Sequence, residues 1–167
     1  MDPTVLLAVA LQDEENPTAH ALAARDVAAI LTRGSSKPLH VVSVYAYPQD
    51  RWCGFPGASA AEFASAWRQQ TDEAMQQNMA AYIAPLQAEG LQIISHLRVG
   101  EPPEVILQVA KDVEAGLLVM GIQIKWSVFD VALGGTAQHV SRYAPCPVVW
   151  VHPKPEVERG GRVSYEP

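Results

Sequence analysis

Short apolar runs, separated by longer stretches with helical spacing, set the plan of this chain. The runs are residues 4–11 (TVLLAVAL), 40–47 (HVVSVYAY), 91–99, 117–120 (LLVM) and 148–151 (VVWV). Each is short and rich in β-branched or large apolar residues, as expected of strands buried on both faces of a parallel sheet. Four helices are predicted between them. Asn16 and Pro17 read as the cap and first residue of a helix that runs to about Arg33 and stops at Gly34. Its spacing predicts Ala23, Val27, Ile30 and Leu31 as the buried face. A long helix over about residues 60–89 places Met75, Met79, Tyr82, Ile83 and Leu86 on one side, with Pro85 expected to kink or end it. Gly100-Glu101-Pro102 opens a third helix that buries Ile106, Val109, Ala110 and Val113. Gly134-Gly135-Thr136 opens a fourth, carrying Ala137, Val140 and Ala144 until Pro145 and Pro147 stop it.

Strands that alternate with helices imply an open parallel sheet with right-handed crossovers and helices on both faces. Residues 115–153 organise the rest, as strand, long loop, helix and strand, with the loop after Gly121 at the carboxyl end of the sheet. That end is where open α/β sheets bind ligands. Residues 48–59 (PQDRWCGFPGAS) form the least regular piece and carry Trp52 and Phe55. Residues 154–167 are charged and rich in Gly and Pro, hence a flexible tail behind a domain of residues 1–153.

Composition narrows the function. At 167 residues the chain has the size of one domain, and 49% hydrophobic with 18% charged residues is ordinary globular usage. A formal net charge of −6 with scattered Lys and Arg argues against nucleic acid as a partner. No apolar run approaches a membrane span, and Met1-Asp2-Pro3 lacks the start of a signal peptide, so a cytoplasmic protein is expected. Cys53 and Cys146 lie far apart and read as free thiols.

The segment "LLVMG…GGTAQHVSRYAPCPVVWV" resembles the closing part of the universal stress protein domain, and the likeness extends over about residues 4–152. The resemblance implies a Rossmann-like five-stranded sheet ordered 3-2-1-4-5. It also implies a homodimer through the last strand, Val148, Val149, Trp150 and Val151, whose open edge would otherwise invite aggregation. The family's nucleotide binders carry G-x2-G-x9-G-[S/T] across the loop and the start of the last helix. Here Gly121 fills the first position and Gly134 the third; Ile124 replaces the second glycine, Gly135 the hydroxyl, and Thr136 follows one residue later. The family's Asp at the end of the first strand, near ribose and adenine, is Ala10 here, and the backbone position near adenine is Val44.

Carried over residue by residue, the candidate nucleotide or anion site is Val44, Met120, Gly121, Lys125, Gly134, Gly135 and Thr136. The two missing polar groups remove hydrogen bonds worth roughly 0.5–1.5 kcal/mol each, on the order of tens to hundreds-fold in affinity. The helix N-terminus at Gly134 remains an anion site, with ATP or AMP as the candidate cofactor. Ile122, Ile124, Trp126, Val128 and Phe129 make the loop unusually apolar. It either packs over the pocket or into the dimer contact, or offers a surface to a protein partner or a different small ligand at the carboxyl-end loops.

His20, His40, His96, His139 and His152 show no metal-ligand spacing, so no metal site is expected. Nothing in the chain assembles a nucleophile, a base and an orienting group, and the turn after the first strand, Leu11-Gln12-Asp13-Glu14-Glu15, is acidic and lacks glycine. The expectation is a dimeric binding or regulatory module of stress response with a degenerate nucleotide site and no catalysis. The alternative is an ATP- or AMP-binding universal stress protein with at most slow ATP hydrolysis.

Overall fold

The alternation of apolar runs and helical stretches is realised in a computed structural model that describes residues 2–11, 17–47, 60–122, 125–126, 131–132 and 134–153. In chain order the elements are β1 (Val5–Ala8), α1 (Ala19–Thr32), β2 (Leu39–Tyr45), α2 (Ala60–Ala88), β3 (Ile93–Val99) and α3 (Pro102–Asp112). Then follow β4 (Leu117–Gly121), β5 (Lys125–Trp126), β6 (Val131–Ala132), α4 (Gly135–Tyr143) and β7 (Val148–Val151). The main sheet is parallel and ordered β3-β2-β1-β4-β7, which is the expected 3-2-1-4-5 arrangement.

Strand alternation divides the core between the two faces of this sheet. Val5, Leu7, Val41, Tyr45 and Val119 point to the side covered by α1 and α2, where they meet Met75, Met79, Tyr82, Ile83 and Leu86. Leu6, Ala8, Val42, Val44, Leu118 and Met120 point to the side of α3 and α4, against Ile106, Leu107, Val109, Ala110 and Val140. Each fully buried Leu or Val contributes about 1.5–3 kcal/mol relative to exposure, so the central strands anchor both layers.

Several expectations change. The cap of α1 is Thr18, whose hydroxyl accepts from the Ala21 N–H at 3.2 Å; Asn16 lies outside the described residues. The buried face of α1 is Ala21, Ala24, Ala28, Ala29 and Thr32, while Ala23 and Val27 are half-buried. Ile30 and Leu31 are 64% and 42% exposed. The reason is close packing: a helix laid directly on the sheet presents its small side chains, so the larger ones turn outward. Pro85 does not end α2, because it sits in the last turn and its own carbonyl still accepts from Glu89 N–H at 3.2 Å. The segment expected to be one long loop after Gly121 contains an antiparallel pair, with Lys125 opposite Ala132 and Trp126 opposite Val131. The expectations for residues 48–59, with Trp52, Cys53 and Phe55, for Ile124, Val128 and Phe129, and for residues 154–167 fall outside the described residues.

Candidate nucleotide site at the carboxyl end of the sheet

β1 ends earlier than its neighbours, at Ala8, whereas β2 runs three residues past its partner Val42 and β4 one residue past its partner Met120. The last bond between β1's extension and β2 runs from Val9 N–H to Val42 C=O at 3.0 Å. Alternate residues of a strand face the same neighbour, so the N–H and C=O of Val44 point to the side that β1 has vacated. On β4, Leu117 N–H donates to Thr4 C=O at 3.2 Å and Ile122 N–H to Val151 C=O at 2.9 Å. Leu117, Val119 and Gly121 therefore turn their backbone toward β1, and the C=O of Gly121 faces the same gap. Ala10 is exposed there, and among the described residues no backbone hydrogen bond ties it to β2 or β4. This is the topological switch point, the place where consecutive crossovers leave on opposite faces.

The α4 N-terminus supplies the second component. Gly134 is the cap and offers no side-chain bond; its carbonyl accepts from Gln138 N–H at 3.0 Å. The first N–H groups of the helix have no partner within it. Gly134 and Gly135 are exposed, and a Cβ built on either would meet nothing within 4 Å. Those glycines are thus not demanded by packing, and the amides stay open to an anion. Thr136 is half-buried in the first turn.

The other candidates divide. Val44 and Met120 are 8% exposed, with side chains in the core, so only their backbone is available to a ligand. Gly121 has a packing role that spacing alone could not reveal. A Cβ there would come to 2.7 Å from His20 C=O, the first turn of α1. Lys125 is placed in β5 opposite Ala132.

Side chains brought together by the fold include some that sequence spacing missed. Tyr45 and Tyr47 hydroxyls both donate to Asp72 Oδ1, at 2.7 and 2.8 Å, and the Arg68 guanidinium lies 5.5 Å from the Tyr47 ring centre. Burial, then the bond to Asp72, raises the Tyr45 hydroxyl far above its ordinary pKa. His20 and His152 meet edge-on with centroids 5.4 Å apart, and desolvation followed by the charge of His152 lowers His20 below the usual imidazole value. His40 and His96 stack with centroids 5.2 Å apart. Tyr45-Ala46-Tyr47, at and just beyond the end of β2, is the one local signal among these; the histidine pairs join residues at least 56 positions apart in sequence. Cys146 is half-buried against the α3–α4 side of the core, and burial raises its thiol pKa.

An open parallel sheet ordered 3-2-1-4-5, with helices on both faces and a switch point between β1 and β4, defines a doubly wound α/β protein. The sequence profile of the Universal stress protein family matches residues 3–152, and the chain belongs to that family. It is 37% identical over 59 residues to the Universal stress protein E homolog of Haemophilus influenzae, a match covering 35% of this chain. The chain spans only about a fifth, 19%, of that relative's length. Among solved structures it is similar to universal stress protein UspA from Lactobacillus plantarum, at 20% identity and TM-score 0.64, covering 90% of this chain and 99% of that one. It is also similar to an Arabidopsis thaliana universal stress protein family protein solved with AMP bound. That match has 18% identity and TM-score 0.58, covering 91% of this chain and 93% of the other. No helix among the described residues is long and apolar enough to cross a membrane.

Proposed function

We propose that this protein is a binding and regulatory module that takes an adenine nucleotide at the switch point, more weakly than relatives with the full motif and without turning it over. The observation that carries this reading is the unobstructed α4 N-terminus at Gly134 and Gly135, on the same end of the sheet as the backbone of Val44. The helix offers N–H donors and a partial positive charge to a phosphate. The Val44 N–H and C=O can pair with the edge of a base. The Arabidopsis relative, solved with AMP, supports an adenine nucleotide as the ligand class. Ala10 and Gly135 replace the carboxylate and hydroxyl of the family's motif, which accounts for the weaker hold. In this reading two copies pair through β7, whose Val148, Val149 and Trp150 are only half-buried in the single chain. Nucleotide occupancy then alters what the carboxyl-end loops offer to a partner.

A thermal-shift series with AMP, ADP and ATP, with and without magnesium, tests the proposal. Ligand at tenfold its dissociation constant adds about 1.4 kcal/mol of stability, a rise of about 3–6 °C for a chain of this size. The rise is expected to vanish in Gly134→Val, whose side chain takes the space proposed for the phosphate and whose Cβ meets no described atom within 4 Å. No rise at millimolar nucleotide refutes the reading, and steady release of phosphate from ATP refutes the absence of turnover.

A further inference from the structure

Parallel pairing at the free edge of the sheet brings two histidines, 56 residues apart in sequence, into contact. His40 of β2 lies opposite Ile94 of β3, and Val42 lies opposite His96, so the two imidazoles are diagonal neighbours on one face. His40 Nδ1 and His96 Nε2 are 2.9 Å apart, with ring planes 12° from parallel. They occupy the strip of the α3–α4 face beyond the helices. Both rings are half-buried there, Ile94 is 44% exposed, and Arg98 is exposed. Backbone pairing over seven positions already holds β2 to β3, so the sheet does not depend on a side-chain bond here. Two neutral imidazoles that meet nitrogen to nitrogen have one proton between them, carried by one nitrogen, and one lone pair on the other.

We infer that His40 and His96 form a binding site for a late first-row transition ion, Cu2+ or Ni2+, with water completing the coordination. The separation, that of the hydrogen bond between the rings, also fits such an ion. With metal–nitrogen bonds of about 2.0–2.1 Å, ligands at a right angle lie about 2.9 Å apart, whereas tetrahedral ligands lie about 3.4 Å apart. The right-angle spacing suits tetragonal or octahedral ions, and imidazole pairs rank Cu2+ above the other divalent ions. Among the described residues no third His, Cys, Asp or Glu completes a ligand group, so the site is open-sided and its ion exchangeable. On loading, the proton shared between the rings leaves its nitrogen and returns through water to the far nitrogen of the same ring. No net proton is released.

Calorimetric titration of the full chain with Ni2+ and with Cu2+ tests the site. One equivalent is expected to bind, with at least about a tenfold loss of affinity in both His40→Ala and His96→Ala and no loss in His20→Ala or His152→Ala. Thermal unfolding without metal checks that the variants fold. On the unsubstituted chain, substoichiometric Cu2+ is expected to broaden amide NMR signals centred on residues 40 and 96. Absence of binding at millimolar ion, binding that survives in both of the first two variants, or broadening centred on His20 and His152 each overturns the inference.

Discussion

A methyl group added at Gly121 would sit 2.7 Å from the carbonyl oxygen of His20, 3.0 Å from its carbonyl carbon and 3.2 Å from its Cβ. The first two are backbone atoms, so rotating a side chain cannot relieve the contact. Either the first turn of α1 or the end of β4 must move by a few tenths of an ångström. Both are tied down. The Thr18 cap holds the turn at 3.2 Å, the buried Tyr82 hydroxyl donates to Ala21 C=O at 2.6 Å, and β4 is paired on both sides. Gly121→Ala is therefore expected to cost about 1–3 kcal/mol, the range for overpacking a well-filled site. For a chain of this length that lowers the melting temperature by about 2–12 °C. Urea unfolding followed by circular dichroism measures it, with the slope against denaturant unchanged. Gly134→Ala is the control: its methyl meets nothing within 4 Å, so only a weaker cap, about 0.5 kcal/mol, is expected. Equal stabilities of Gly121→Ala and the parent chain, or an equal loss in the control, would refute the packing argument. A lost nucleotide response in Gly121→Ala would report on the fold before it reported on a ligand, which is why Gly134 carries the binding test.

Glu114 adopts φ +48° just beyond α3, where its N–H donates to Lys111 C=O and Ala115 N–H closes on Ala110 C=O. Glu114→Gly removes the side-chain cost of that conformation, and a gain of up to about 1 kcal/mol is expected by calorimetry; a loss contradicts it. Ser43 Oγ is fully buried with no hydrogen-bond partner among the described residues, so Ser43→Ala is expected to hold or raise the unfolding free energy, read from urea titration, by up to about 1 kcal/mol, and a drop above that size contradicts the assignment. His20, His40 and His96 all have lowered pKa values, chiefly from desolvation, so between those values and about 6.5 the unfolded chain binds more protons than the folded one. Their contribution is complete above that range and lost as pH falls through it; urea midpoints at successive pH values should decline, less steeply in His40→Gln/His96→Gln, and a flat profile counts against it.

The fold was readable because its signals are local. Four- to seven-residue apolar runs, a proline at the start of α3 and Gly34 with φ +83° after α1 each act within a turn or a strand. The face of α1 was misjudged because size was read as burial, whereas distance to the sheet selects Ala24 and Ala28 over Ile30 and Leu31. The short β5–β6 pair has only two residues per strand, too few to give a periodic signal. The site was partly legible, since Gly134 and Gly135 mark an open helix start by composition. The contact of Gly121 with His20, the Tyr45–Asp72–Tyr47 group and the His40–His96 pair join residues 25 or more positions apart. Such contacts are created by topology and leave no spacing to read.

The proposed site also sets what kind of nucleotide it would distinguish. In that reading the surviving contacts lie at the two ends of the ligand, the phosphate at the α4 N-terminus and the base edge at the Val44 backbone. The middle is where Ala10 stands in place of the family's carboxylate near the ribose. A hydrogen bond from a sugar hydroxyl to a carboxylate is worth about 1.5–3 kcal/mol, or about 10- to 150-fold in affinity. With a methyl group at that position, removing the 2′-hydroxyl sacrifices no charge-assisted bond. AMP and dAMP are therefore expected to bind within about threefold of one another in a competition assay, and Ala10→Asp is expected to strengthen AMP over dAMP. A tenfold or greater preference for AMP in the unsubstituted chain would mean that another group holds the ribose. An unchanged ratio in Ala10→Asp would mean that the sugar does not lie beside the end of β1 at all.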